Sequence, residues 1–445
     1  MKAATRNEMI EVDALRIGMF VHLDMGWLSH PFPLSSFKIT SNDQIATIRS
    51  LGLQRVRWTP GQSDIVHESE PPGPTQQPLQ PGEVPAVDAS DQAIVQATPE
   101  ASPMPPDAAA RVQRMRRLAD QRAALQVCER QFTEASHACK HVTELVHAQP
   151  MLAREQAEKL SRALVDKMIG DRELCIRLLS DAAGDKASMH SLNVSIISLL
   201  MGRSFGLSDA DMLDLSVGAL LHDIGKLDLP DRVRHRDEQF SAAELRYYEE
   251  HVAHGIAQGR KMGLSPGALL VIGQHHEHAD GTGFPLRLNT DRMTAAARIV
   301  SLVNRYDNLC NPNIASKALT PHEALSLLFA QGKTKFDTAI LGAFIRMMGV
   351  YPAGSTVQLT DDRYAIVVAV NSSRPLKPRV LIHESKVPRD EALILDLESA
   401  QGLGIRRSVK PAQLPAASLD YLAPRPRIAY FFEPAVHAEA EALAA

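Results

Sequence analysis

The chain holds 17 histidines, and the ones that could do chemistry arrive in company with carboxylates. In order they are His190, His222-Asp223, His251, His254, His275-His276, Glu277, His278 and Asp280. His190, His222, His251 and His275 follow one another at intervals of about 25 to 32 residues. A helix and its connection fill such an interval, so successive helices of a bundle could each deliver one ligand to a shared centre. Imidazole with carboxylate, and no thiolate, suits iron, manganese, nickel or zinc. Neighbouring residues on a helix point about 100° apart, so the pairs His222-Asp223 and His275-His276 can address two metals, or let the carboxylate bridge them. A lone histidine in a bundle is usually a hydrogen-bonded core residue. Two adjacent pairs, one followed by Gly225-Lys226 and the other leading into Asp280-Gly281-Thr282-Gly283-Phe284-Pro285, are more than packing needs.

The elements that must position these groups are helices. Ser208 with Asp211, and Ser241 with Glu244, have the spacing of capping boxes, and Thr294 and Thr320 open two further helices. Residues 150–349 therefore read as an all-α domain. The 108–149 stretch has neither Pro nor Gly and reads as one long helix. Leu118, Leu125, Phe132 and Val146 share a heptad frame, which suits either packing onto the next domain or a homodimer seam. After Tyr351 the pattern turns to strands: Thr356–Leu359, Tyr364–Val370, Arg379–Ile382, Leu393–Leu397 and Ile428–Phe432, with a turn at Asp361-Asp362. Residues 350–434 are thus expected to form a small β domain, with a tail over 435–445.

Residues 1–66 form a small α+β module, with strands around Val12–Leu23, a helix from Ser41 to Leu51 and a strand over Gln54–Trp58. Trp27, Pro31, Phe32, Pro33 and Phe37 would fill its small core. Between Ser69 and Asp107 lie ten of the 28 prolines, with no aromatic residue and no Lys or Arg. Such a stretch cannot offset its ordering entropy, and 67–107 is expected to be a disordered linker.

Composition narrows the function classes. The 445 residues are 44% hydrophobic and 22% charged, enough for a packed core. A net charge of −4 and 5% aromatic residues speak against a nucleic-acid polymer as partner. Four cysteines with no CxxC pair fit a reducing compartment. No apolar run approaches the roughly 20 residues of a membrane span, and no secretory leader is visible, so a cytoplasmic protein without membrane insertion is expected.

Taken together, "HSLNV" with His190, "LLHDIGK" with His222, Asp223 and Lys226, "YYEEHVAHG" with His251 and "HHEHADGTGFP" from His275 to Pro285 resemble the HD-GYP family of HD phosphohydrolases. "LRIGMFVHLDMGWLSHPF" is similar to the domain of unknown function that often precedes HD-GYP domains. The resemblance implies a metal-dependent phosphodiesterase that hydrolyses cyclic di-GMP, to pGpG or onward to GMP, in bacterial signalling. It implies His190, His222, Asp223, His251, His275 and His276 as ligands of two divalent metals, iron or manganese, with Asp223 bridging. Lys226 would neutralise phosphate charge or protonate the leaving oxygen. Asp280, Gly281 and Gly283 would shape the site and offer a docking surface to a diguanylate cyclase or another signalling protein.

The sequence departs from the family at several positions. Phe284 stands for the tyrosine of GYP, and Asn304, expected as a weak metal ligand, for an aspartate; Asp307, one turn on, is expected on the substrate side of the site, partly compensating for that change. Asn313 and Ser316 take the places of basic residues that hold substrate phosphates, and Lys317 lies one position off. Lys186 stands where some members carry a Glu for a third metal. The fold expected is multidomain, an all-α HD-type centre between a small α+β module and a β-rich end. A regulatory module that binds metal or nucleotide without turnover, and a phosphohydrolase with another substrate, are the alternative functions.

Overall fold

A computed structural model of the chain describes residues 8–25, 36–64, 106–168, 173–180, 185–332 and 334–435. The expected linker and tail lie outside these residues, apart from Pro106 and Asp107 at the start of a helix and Ala435. So do Trp27, Pro31, Phe32 and Pro33. The described residues form two compact units that divide at Arg116–Arg117.

The first unit is a four-stranded antiparallel sheet in the order β1-β4-β2-β3, with one helix. Its elements are β1 (Glu8–Glu11), β2 (Phe20–His22), β3 (Ser36–Lys38), α1 (Asn42–Ser50) and β4 (Arg55–Trp58). Ser41 caps α1 as its sequence position predicts, its side chain accepting from Gln44 N, and Ile45 and Ile48 are buried. Val12–Ala14 is a 3-10 turn rather than a strand.

The second unit begins within α2 (Pro106–Leu145) and continues through α3 (Pro150–Met168). Cys128, Phe132, Ala135, Cys139, Val142 and Val146 of this segment are buried in the same cluster as the helices and strands that follow. This part of α2 thus packs onto its own chain, as one of the two readings of the heptad frame has it.

Next come β5 (Leu174–Leu178), α4 (Lys186–Ser204), α5 (Asp209–Leu221), α6 (Ala242–Glu249), α7 (His251–Met262) and α8 (Pro266–Gln274). They lead to α9 (Ala295–Cys310), α10 (Pro321–Gln331) and α11 (Thr338–Met348). Ser241 with Glu244, and Thr320 with Glu323, close complete capping boxes at α6 and α10. The strands β6 (Thr356–Leu359), β7 (Tyr364–Asn371), β8 (Arg379–Ile382), β9 (Ile394–Asp396) and β10 (Ile405–Ser408) precede α12 (Ala416–Leu422) and β11 (Tyr430–Pro434).

Two expectations are corrected here. Residues 150–349 are not all helical, because β5 interrupts them. The strands after residue 350 do not close on themselves either, because β5 sits between β7 and β11 in their sheet. Cys175 and Arg177 pair with Asn371 and Ala369 on one side, and with Glu433 and Phe431 on the other. The reason is burial on both faces. Every residue of β5 is buried, so its sequence shows no polar-apolar alternation to mark it as a strand.

Candidate metal centre

The histidines come from helix ends. α5 closes at Leu221 with His222 as its C-cap, and Asp223 starts the 3-10 turn Ile224–Asp228. His251 opens α7, His275 is the C-cap of α8, and His190 lies one turn into α4. The His222-Asp223 pair is split by the end of the helix, which departs from the expectation that both sit on one helix. Helix C-termini carry partial negative charge, which favours a bound cation. Close backbone packing fixes the approach of Asp223 to His251. A Cβ on Gly225 would stand 2.0 Å from His251 O and 2.3 Å from Gly255 N, so only glycine lets the 3-10 turn lie against α7.

Hydrogen bonds set the imidazole tautomers. Nδ1 of His222, His251 and His275 donates to the carbonyls of Ala219, Tyr248 and Ile272 at 2.7, 2.6 and 2.7 Å. Nδ1 of His190 donates to Asp307 Oδ2 at 2.6 Å. In the neutral ring each Nε2 is then a bare lone pair. These lone pairs converge: His190 and His222 Nε2 are 3.2 Å apart, and those of His251 and His275 are 3.3 Å apart. Facing lone pairs repel unless a cation lies beside them.

Asp223 stands between the two pairs. Its Oδ2 is 3.8 Å from His190 Nε2 and 3.5 Å from His222 Nε2. Its Oδ1 is 3.6 Å from both His251 Nε2 and His275 Nε2. Among the described residues, Asp223 Oδ1 and His276 Nε2 are buried without a hydrogen-bond partner. Asp223 with His251, His275 and His276, and Asp223 with His190 and His222, are two adjoining groups compact enough to hold metal ions. The unprotonated nitrogens, the shared carboxylate and the orphaned atoms fit divalent cations.

Burial keeps three of the imidazoles neutral. It pushes His222 and His276 well below the usual histidine range, and His251 down to about 3. Burial alone would raise the Asp223 carboxyl, but the Lys226 charge opposes it and the carboxyl is held well below the usual carboxylate range. Lys226 Nζ lies 2.6 Å from Asp223 Oδ2 and 5.5 Å from the Tyr248 ring centroid. Burial opposes its charge, yet Asp223 and Tyr248 raise its pKa above the ordinary lysine value, so it is a firm cation at the edge of the cluster.

Two expected site residues do other work. Asp307 was expected beside the substrate, but it is fully buried beneath His190. Its Oδ1 accepts from Asn193 and Asn311 Nδ2 at 2.8 and 2.9 Å. Both asparagines also donate to Ile428 O, and they accept from the backbone N–H groups of Tyr430 and Ile428. The sequence reading missed this frame, although Asn193 sits one turn past His190 in "HSLNV". Asn304 is buried on α9, and its Oδ1 accepts from Asn308 Nδ2 at 2.6 Å. The described contacts tie that amide to its own helix rather than to the histidines.

The glycine-rich loop is held by Glu277. This buried carboxylate accepts from Leu286 N at 2.6 Å and Leu288 N at 2.9 Å. A Cβ on Gly283 would stand 2.5 Å from the backbone of His276, Glu277 and His278, so glycine is required there. Gly281 has φ +74°, and Asp280 folds its carboxylate onto Thr282 N and Oγ1. Asp280 and Gly281 therefore build the turn. The loop reaches the histidines through Phe284, whose ring stacks on His276 at 4.5 Å.

Cations rim the cluster. Lys186, one turn before His190, donates to Pro312 O at 3.2 Å and to Asn313 Oδ1. Burial, Arg427 and Lys226 all lower its pKa. His235 is similarly lowered by burial, Lys226 and Lys186. Lys317, by contrast, is paired with Glu238 at 2.7 Å.

Comparisons with known proteins follow this geometry. The HD domain family matches residues 173–340, and a domain of unknown function, DUF3391, matches residues 8–157. The DUF3391 match runs well past the 66 residues expected for the N-terminal module. The chain is 26% identical over 401 residues to cyclic di-GMP phosphodiesterase PA4108 of Pseudomonas aeruginosa, covering 86% of this chain and 88% of that protein. It is 25% identical over 201 residues to cyclic di-GMP phosphodiesterase PdeB of Borreliella burgdorferi, covering 45% of this chain and 53% of that one. It is 30% identical over 172 residues to 3'3'-cGAMP-specific phosphodiesterase 3 of Vibrio cholerae, covering 39% of this chain. The chain spans about half of the second relative's length and 37% of the third's. Among solved structures, an HDG"Y"P protein from Bdellovibrio bacteriovorus superposes with a TM-score of 0.38 at 16% identity, covering 76% of this chain and 98% of that one.

Proposed function

The chain carries an HD domain over residues 173–340, and on that footing we propose that it is a metal-dependent phosphodiesterase acting on cyclic di-GMP. The observation that carries this reading is Asp223, whose two carboxylate oxygens each face a separate pair of unprotonated histidine nitrogens. His190, His222 and Asp223 would hold one metal, and Asp223, His251, His275 and His276 the other, with iron(II) or manganese(II) as the candidates. Bound there, the two ions supply an activated water and neutralise charge on the phosphoryl group. Lys226, already charged and aimed at Asp223, sits where a phosphate oxygen would arrive, and it neutralises charge there. Its raised pKa makes it a poor proton donor. Lys186 supplies on α4 the positive charge that Asn313 does not, each charged hydrogen bond contributing roughly 1.5–3 kcal/mol. Phe284 walls one side of His276 and keeps water from that face. The exposed turn at Asp280 is the surface this reading offers to a signalling partner such as a diguanylate cyclase.

One observation favours the regulatory alternative: the amide of Asn304 is engaged by Asn308. A single experiment separates the two readings. Protein purified without oxygen and loaded with iron(II) or manganese(II) is assayed on cyclic di-GMP and, in parallel, on 3'3'-cGAMP. Turnover that vanishes in a His222→Ala, Asp223→Ala double variant supports the phosphodiesterase. Metal bound without turnover of either nucleotide overturns it in favour of the regulatory module. Turnover of 3'3'-cGAMP alone corrects the substrate.

A further inference from the structure

A cavity among the described residues lies away from the histidines. It measures about 320 Å³, within the range of small-molecule sites, and sits between α2 and the face of the sheet that α2 covers. Leu118 and Leu125 of α2 form its roof, and Ile366, Val368 and Leu381 of β7 and β8 its floor. Val368 is the extra residue of a β-bulge between Val367 and Ala369, and it lines the cavity together with Ile366. Gln121 fastens the roof, donating to Ile394 O and accepting from Ile394 N, both at 2.9 Å. Arg122 adds a bond to Asp390 O.

The charge inside is lopsided. Among the described residues, four arginines line the cavity, Arg122, Arg177, Arg389 and Arg425, against one carboxylate, Asp390. Arg177 is the buried member, 5% exposed. Its Nη1 reaches Glu433 at 3.4 Å, but Arg379 shares that carboxylate at 3.5 Å. Arg177 Nε is buried with no hydrogen-bond partner among the described residues. A buried guanidinium with an open donor, beside apolar walls, is costly unless an acceptor arrives.

We propose that this cavity is a binding site for a small organic anion with an apolar body, its carboxylate or phosphate head on Arg177 and its body against Leu125, Val368 and Leu381. The apolar walls fix the class of body, and the excess guanidinium charge fixes the sign of the head. None of the lining residues belongs to the histidine cluster, so the site is independent of the hydrolytic reading. It borders β5, after which the chain enters α4 and reaches His190.

The test uses the full chain with octanoate, octyl phosphate and octylamine as probes, read by calorimetry and by the melting temperature. Octanoate or octyl phosphate should bind at one site in the millimolar range or tighter and raise the melting temperature, while octylamine, with the same tail and opposite charge, should not. Preference between the two anions identifies the head group. Arg177→Met should weaken anion binding at least about tenfold. Val368→Trp, which fills the cavity while keeping Arg177, should abolish it while circular dichroism stays native. If Arg177→Met fails to fold, Val368→Trp decides alone. No binding of either anion by the wild-type chain, equal binding of octylamine, or undiminished binding by folded Val368→Trp overturns the proposal.

Discussion

Asp307 Oδ2 accepts the Nδ1 proton of His190 at 2.6 Å, and no part of the Asp307 side chain reaches solvent. That bond fixes which nitrogen of His190 faces the cluster. Groups that orient a liganding histidine typically contribute 10–100-fold in metal affinity. Asp307→Asn should therefore weaken metal binding by about that factor, measured by competition with a chromophoric chelator. The Michaelis constant of fully metal-loaded protein should hardly move. A selective rise in that constant would return Asp307 to the substrate role expected from the sequence.

Gly225 carries a second prediction. Alanine there would drive a methyl group into His251 O and Gly255 N, and backbone cannot step aside as a side chain can. Gly225→Ala should cost about 3 kcal/mol or more and lower the melting temperature by roughly 5–10 °C. Gly342→Ala is the control. Its nearest neighbour is the tip of Arg346 at 3.5 Å, and helix propensity should leave it neutral or slightly more stable. Equal losses in the two variants would show that the close approach at Gly225 is not what holds the turn.

Lys186 offers a third, through exchange of a charge between two positions. Lys186→Ala should raise the Michaelis constant for cyclic di-GMP about tenfold with little change in kcat, since it removes one charged contact to a phosphate. Asn313→Arg added to that variant should recover much of the loss, because Asn313 is the residue Lys186 touches. Failure of the arginine to rescue would mean that Lys186 only braces the Pro312–Asn313 segment.

A fourth concerns pH and lies far from the histidines. Burial lowers the Lys167 pKa from 10.5 to about 8, with Glu134 and Cys128 acting the other way. Below pH 8 the side chain is protonated folded and unfolded, and burying the charge disfavours the folded state. Between about pH 8 and 10.5 the folded chain gives up its proton first, so this contribution to stability rises with pH. Lys167→Met should be more stable than wild type at pH 7, on the order of 2–3 kcal/mol, with the gap closing by about pH 10. Urea denaturation at the two pH values measures it. A gap that stays constant would place the lysine charge in solvent.

The residues of the cluster were legible because ligand types, their intervals and the Gly225-Lys226 and Asp280–Pro285 sequences all concern short stretches of chain. Caps at Ser41, Ser241, Thr294 and Thr320 were legible for the same reason. β5 was not, since a strand buried on both faces carries no alternation and its partners lie about 200 to 250 residues away in sequence. The roles of Asp307 and Asn304 were hidden for a related reason. Their residue types suited ligands, and only tertiary packing shows that one holds His190 and the other turns to Asn308. Asn193 and Asn311 carry no local signal of this role, because the segment they grip, Ile428 to Tyr430, lies 117 residues or more further along the chain.

That grip sets a timetable for synthesis. Asn193 and Asn311 hold Asp307 with amides that also clasp the backbone of Ile428 and Tyr430. A ribosome that has made every histidine of the cluster has still not made the strand that steadies His190. At roughly 5–20 residues per second, about eight to thirty seconds separate the emergence of His276 from that of Tyr430. Through that interval the nascent chain carries its ligands without their final support, and late truncation would leave a protein rich in histidines but with a slack grip on metal.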